Sequence, residues 1–179
     1  MIDLKDFFDV LKSSGINFFT GVPDSLLKDI CGYITSNTSK KEHIIAANEG
    51  NAVGLAIGHY LSEKKPALVY LQNSGLGNII NPLTSLADNA VYGIPMVLMV
   101  GWRGEICENG TQIKDEPQHK KQGQITCQQL EILKIPYIII DSKSRIKEVI
   151  EKMVKLSSRT THPVAIIVRK GTFKKFESL

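Results

Sequence analysis

The sequence predicts an α/β fold, a doubly wound six-stranded parallel sheet with helices on both faces. Six short apolar runs alternate with segments of helical periodicity, the pattern of successive strand–helix–strand units. Nearly all of those runs are continuously apolar, as strands covered on both faces are, and few alternate as half-exposed strands would. The chain has 179 residues, 42% of them hydrophobic and 22% charged, which is enough for one buried core and too short for two full-sized domains.

Asp3 stands as N-cap to a helix whose Leu4, Phe7, Phe8 and Leu11 share one face, and Gly15 marks its end. Residues Ile16 to Thr20 then read as a strand, rich in β-branched and aromatic residues, followed by the turn signal Gly21-Val22-Pro23-Asp24-Ser25. A second helix runs through Leu26, Leu27, Ile30 and Ile34. The unit repeats as strand His43 to Ala47 into helix Asn48 to Leu61, and as strand Ala67 to Gln72 into helix Gly77 to Ala90. Strand Pro95 to Val100 leads into a long polar loop, Gly101 to Gly123. Strand Tyr137 to Ile140, helix Lys143 to Ser157 and strand Pro163 to Val168 close the series, with a basic tail behind them. No internal repeat, low-complexity tract or linker interrupts the chain, so residues 1–179 are expected to form one domain.

Lys and Arg total 22 against 18 for Asp and Glu, a net charge of +4 with no block of five like charges, which gives no argument for a nucleic-acid partner. Asp3 and Asp6 stand where a signal peptide would be basic, and no apolar run is long enough to span a bilayer as a helix, so neither export nor membrane insertion is expected. Cys31, Cys107 and Cys127 lack CxxC spacing, which argues against a disulfide framework or a zinc site and for a cytoplasmic location.

In open parallel sheets ligands sit beyond the carboxyl ends of the strands, so the loops there carry the candidate site. Glu49 opens a helix directly after a strand; position alone makes it a carboxylate favoured by the helix dipole. Gly50, Gly54 and Gly58 recur every four residues, although glycine costs about 1 kcal/mol each in a helix interior. That bare face invites a neighbouring helix, a second subunit or a ligand. Ser74-Gly75-Leu76-Gly77-Asn78 follows a strand and half-matches a dinucleotide fingerprint, but Ile80 replaces the third glycine, leaving only a weak nucleotide-binding reading. Asn73 and Asn78 offer side chains that can hydrogen-bond a heterocycle. The 101–123 loop mixes Arg103, Lys114, His119, Lys120 and Lys121 with Glu105, Glu108, Asp115 and Glu116, either as a solvated mixture or as an anion-gripping lid. His43, His59 and His162 have no ligand spacing and read as structural or exposed.

Five segments together resemble a known family: Gly21-Val22-Pro23-Asp24-Ser25, Ala46-Ala47-Asn48-Glu49-Gly50-Asn51-Ala52, Gln72-Asn73-Ser74-Gly75-Leu76-Gly77-Asn78, Gly101-Trp102-Arg103-Gly104-Glu105 and Asp115-Glu116-Pro117-Gln118-His119. The chain is similar along its length to the pyrimidine-binding domain of thiamin diphosphate-dependent decarboxylases. The Glu49 segment is common to the whole family, while the first loop and the His119 loop point to members that act on phosphono or sulfo derivatives of pyruvate.

The resemblance implies a carboxy-lyase that converts 3-phosphonopyruvate to phosphonoacetaldehyde and CO2. The alpha chain of a sulfopyruvate decarboxylase is the near alternative, and a noncatalytic interaction module with the same fold is a third. It implies that Glu49 is catalytic, hydrogen-bonding N1′ of the cofactor's aminopyrimidine so that the imino form can take the thiazolium C2 proton. It implies cofactor contacts from Glu49, Asn73, Ser74, Gly75 and Asn78. Substrate contacts are implied from Ser25, Arg103, Gln118 and His119, with Asp24 orienting its neighbours, although Arg103 could instead be a structural partner of Glu105. Family enzymes hold the diphosphate and Mg²⁺ through a Gly-Asp-Gly motif with a later Asn on a second α/β domain, and Gly-Asp-Gly occurs nowhere in this sequence. The expected partners are therefore a diphosphate-binding beta subunit or C-terminal domain, with further copies of the chain forming a homo-oligomer.

Overall fold

A computed structural model describes residues 1–177. Six parallel strands form one sheet: β1 (Phe19–Gly21), β2 (His43–Ile45), β3 (Ala67–Gln72), β4 (Met96–Gly101), β5 (Tyr137–Ile140) and β6 (Val164–Val168), in the order β2-β1-β3-β4-β6-β5. The helices are α1 (Leu4–Ser13), α2 (Lys28–Ser36), α3 (Glu49–Glu63), α4 (Leu76–Pro82), α5 (Pro117–Ile132) and α6 (Ile146–Thr160).

Alternation along the strands divides the core. Phe19, Leu68, Tyr70, Val97, Met99 and Ile166 face α1, α2 and α6, while Phe18, Val69, Leu71, Leu98, Val100 and Ile167 face α3, α4 and α5. Both clusters are buried, which is why the strands read as unbroken apolar runs. The N-cap of α1 forms as expected, Asp3 accepting from the amides of Lys5 and Asp6, and Gly15 takes φ +93 just beyond the helix. The basic tail folds back: Phe173 is buried edge-on against Phe7, and its backbone pairs beside Ile2.

The structure revises three of the expected elements and adds a helix, α5. Strand β2 lies at the sheet edge, so Ile44 and Ile45 are exposed at 37% and 56%. The helix expected over 77–90 is a 3₁₀ turn at Asn73–Gly75, then α4, then a π-type turn at Leu83–Ala87, ending at Asp88; Pro82, which has no N–H to donate, sits where the pattern changes. The 101–123 loop ends at Glu116, and its last seven residues begin α5. Helix α5 was invisible to apolar periodicity because the stripe it buries is His119, Gly123, Thr126 and Leu130.

The chain leaves β1 for β2 on one side and returns to β3 on the other. That reversal opens a crevice beyond the carboxyl ends of β1 and β3. Gly21 is paired with Tyr70 there, and a Cβ at Gly21 would lie 2.0 Å from the Tyr70 carbonyl oxygen, so the two strands can approach only with glycine at that position.

Candidate active site

Glu49 is the first residue of α3, behind Asn48, whose side chain caps the helix by accepting from the Asn51 amide at 2.9 Å. Asn78 of α4 donates to Glu49 Oε2 at 2.8 Å and so aims the carboxylate across the crevice. The other side of that carboxylate rests on Gly75, where a Cβ would lie 2.6 Å from both Cγ and Oε1 of Glu49. Helix dipole, amide donor and bare glycine together hold one carboxylate in one place. Gly75 is therefore a seat for Glu49.

The turn after β3 joins this carboxylate to the rest of the crevice. Asn73 is fully buried; its Nδ2 donates to the Arg103 carbonyl and to Thr126 Oγ1, each at 2.9 Å, and its Oδ1 accepts from the Arg103 amide at 3.3 Å. Both of its side-chain amide hydrogens are engaged within the chain, so it ties β3, β4 and α5 together. Ser74 is exposed and donates to Gln72, which donates in turn to Asp24 at 2.8 Å. Asp24 is buried, accepts also from the Leu27 amide, and lies against Gly101, whose missing Cβ leaves it room. It orients the β1 loop. Gln72 is a positioning residue that the sequence reading missed, although a polar residue closing an apolar strand is a visible signal.

A second cluster follows β4. Arg103 donates through Nε (2.9 Å) and Nη2 to Asp115, and through Nη1 to Ser25 Oγ at 2.8 Å. Asp115 also accepts from the amides of Gly104 and Glu116 and from His119 Nδ1 at 3.0 Å. The guanidinium holds the Asp115 carboxyl far below the usual carboxylate range, and Asp115 in turn raises Arg103. The partner of Arg103 is thus Asp115 and not Glu105, which is buried beside Arg169 at 3.9 Å. Arg103 and His119 converge on this carboxylate, Ser25 joins them through Arg103, and Gln118 is exposed on the first turn of α5. His43 bonds the Tyr70 hydroxyl at 2.7 Å and His59 stacks on Phe18, both in structural settings.

Alongside α3 runs an open groove of about 810 Å³, lined by Ile44, Ile45, Ala47, Gly54, Gly58 and their neighbours. Nothing lies within 4 Å of where side chains at Gly54 and Gly58 would begin, so this helix face is bare backbone.

Fold and site together define a thiamine-dependent enzyme domain. The chain belongs to the thiamine pyrophosphate enzymes, whose N-terminal TPP binding domain matches residues 4–132. Among its relatives, the alpha subunit of sulfopyruvate decarboxylase from Methanococcus maripaludis is 33% identical over 162 residues, covering 90% of this chain and 90% of that one. Phosphonopyruvate decarboxylase from Streptomyces viridochromogenes is 35% identical over 140 residues, covering 78% of this chain and 33% of the relative. The crystal structure of benzoylformate decarboxylase from Polynucleobacter necessarius shares the fold, with a TM-score of 0.66 over 94% of this chain and 30% of that one at 18% identity.

The residues present fit one end of thiamin diphosphate. Glu49, aimed by Asn78, would offer its carboxyl to a ring nitrogen of the pyrimidine. Among the described residues no group of three or more His, Cys, Asp or Glu side chains is placed to hold a metal ion, and no helix is long and apolar enough to cross a membrane.

Proposed function

We propose that this chain supplies the pyrimidine-binding half of a thiamin diphosphate-dependent decarboxylase acting on a 2-keto acid with a terminal phosphonate or sulfonate. The observation that carries this reading is the Glu49 carboxylate, oriented by Asn78 and seated on Gly75. When bound, the cofactor supplies the electron sink for the bond broken as CO2 leaves. Glu49 holds a proton against the aminopyrimidine nitrogen. Asn78 fixes the carboxyl's direction, and Gly75 sets its distance. The Asn73-Ser74-Gly75 turn keeps that carboxyl in register with the Ser25, Arg103 and His119 cluster, which meets the substrate's charged groups.

Conversion of 3-phosphonopyruvate to phosphonoacetaldehyde and CO2 is the first reading. Sulfopyruvate is the second, favoured by the match of this chain to a sulfopyruvate decarboxylase alpha subunit over 90% of both lengths. A diphosphate-binding beta subunit or C-terminal domain holds the diphosphate and Mg²⁺. The groove beside Gly50, Gly54 and Gly58 receives that partner or a second copy, placing active sites at interfaces of an oligomer. Three free cysteines accord with a cytoplasmic setting.

Turnover of phosphonopyruvate, sulfopyruvate and pyruvate by the assembled enzyme tests the substrate. A Glu49→Gln enzyme should fold and bind substrate normally but lose at least about 10²-fold in kcat, the scale of a lost proton-transfer role. Near-normal turnover would reduce Glu49 to a helix-end charge.

A further inference from the structure

Beyond β1, β4 and β6 lies a pocket of about 380 Å³ that includes Ser25, Lys28, Asp29, Arg103 and Lys170. Its charges come from the start of α2 and from the loops after β4 and β6. Arg103 is already neutralised by Asp115. Asp29 is engaged by the Phe176 amide at 3.1 Å. Lys28 and Lys170 make no ion pair among the described residues, and both are exposed. Two ammonium groups therefore share one concavity with a single lining carboxylate, Asp29.

The hydroxyl of Ser25 is oriented as well. Because its oxygen accepts from Arg103 Nη1, its O–H is free to donate into the pocket. Helix α2 begins at the same place, with Leu27 as a cap residue that offers no side-chain acceptor to the first-turn amides. Asp24 already accepts from the Leu27 amide at this helix start, so the pull on an anion comes from the two lysines and the hydroxyl donor.

We infer that this pocket holds the terminal three-oxygen anion of the substrate, phosphonate or sulfonate, with Lys28 and Lys170 as specificity-determining residues alongside Ser25 and Arg103. Two ammoniums, one guanidinium N–H and one hydroxyl match a group with three acceptor oxygens, whereas the methyl group of pyruvate has nothing to offer them. The terminal anion would then be gripped apart from Glu49, leaving the keto acid end toward the cofactor. The assignment of this anion to a substrate rests on the decarboxylase reading; the anion pocket itself does not.

Titration of the full chain with methylphosphonate and with methanesulfonate, at low ionic strength and followed by amide chemical shifts, tests the pocket directly. At least one probe should bind saturably and shift Lys170 and the start of α2. Binding should weaken at least about tenfold in a Lys28→Ala, Lys170→Ala double variant, recover in part in Lys170→Arg, and be unchanged in Lys152→Ala, a charge control on α6. The tighter probe identifies which anion the pocket suits. Absence of saturable binding by both probes, or equal weakening in the Lys152→Ala control, would overturn the inference. In the assembled enzyme the double variant should raise KM for the anionic substrate by a similar factor, with kcat changed far less. An unchanged KM would remove the pocket from the substrate's path. If the assembly decarboxylated neither acid while methylphosphonate still bound at Lys28 and Lys170, the decarboxylase reading would fail and the pocket would stand.

Discussion

Replacing Gly75 with alanine separates the seat of the catalytic carboxylate from the stability of the fold. The backbone at Gly75 has φ −72 and ψ −12, an ordinary right-handed conformation, so alanine introduces no strain there. The three nearest groups in its way belong to one side chain: Cγ and Oε1 of Glu49 at 2.6 Å and Cδ at 2.7 Å. Non-bonded carbon contacts settle at about 3.5 to 4.0 Å, so the carboxylate must retreat by roughly 1 Å. Glutamate has three rotatable bonds to absorb that shift, and alanine is preferred over glycine by up to about 1 kcal/mol in helical geometry, so net stability should change by less than about 1 kcal/mol. Catalysis should not be spared, because a displacement of about 1 Å in a positioned group can cost on the order of 10²-fold. The assay pairs thermal unfolding of the chain with steady-state turnover of the assembled enzyme. An unchanged melting temperature with kcat down by about two decades, close to 2.7 kcal/mol of barrier, is the expected result. Turnover within threefold of normal would show that the position of Glu49 is not what Gly75 provides, and a collapse in stability would show that more than one side chain depends on it.

Gly21→Ala should behave in the opposite way, because its Cβ would meet the Tyr70 carbonyl oxygen at 2.0 Å, a backbone atom that cannot swing aside; the melt should show a loss of about 1 to 3 kcal/mol or more, and an unchanged melt would refute the close β1–β3 approach. Asp115→Asn should cost about 1.5 to 3 kcal/mol at pH 7, since hydrogen bonds to a charged group are lost. The Asp115 carboxyl is held below its unfolded range, so its contribution is fully present above about pH 4 and declines as pH falls toward the folded value. The gap between wild type and variant should narrow by roughly 1.4 kcal/mol per unit below pH 4, and an equal gap in melts at pH 7 and pH 3 would rule out the ionised clamp.

Local chemistry made much of this molecule legible in its sequence. Strands β3 to β6 announced themselves as apolar runs, α1 by its Asp3 cap and Gly15 stop, and Glu49 by its place between a strand and a glycine-faced helix. These features depend on residues a few positions apart, so periodicity and capping reveal them. Helix α5 escaped because the residues it buries are a histidine, a glycine and a threonine before a single leucine, and these carry no hydrophobic period.

What only the tertiary structure decided is which polar groups meet. Asn73 reads as a ligand donor in the sequence, yet the β3–β4 pairing brings it against the Arg103 backbone and Thr126, 30 and 53 residues away, and those partners engage both of its side-chain amide hydrogens. Arg103 finds Asp115 and not the nearer Glu105, because the loop after β4 doubles back onto α5 and turns Glu105 toward Arg169. Lys28, Arg103 and Lys170 are scattered along the chain and share a pocket only because β1, β4 and β6 end on the same edge of the sheet. A side chain's own backbone turn is set by its neighbours in sequence, but its hydrogen-bond partner is set by the strand order, which brings distant loops within 3 Å of one another.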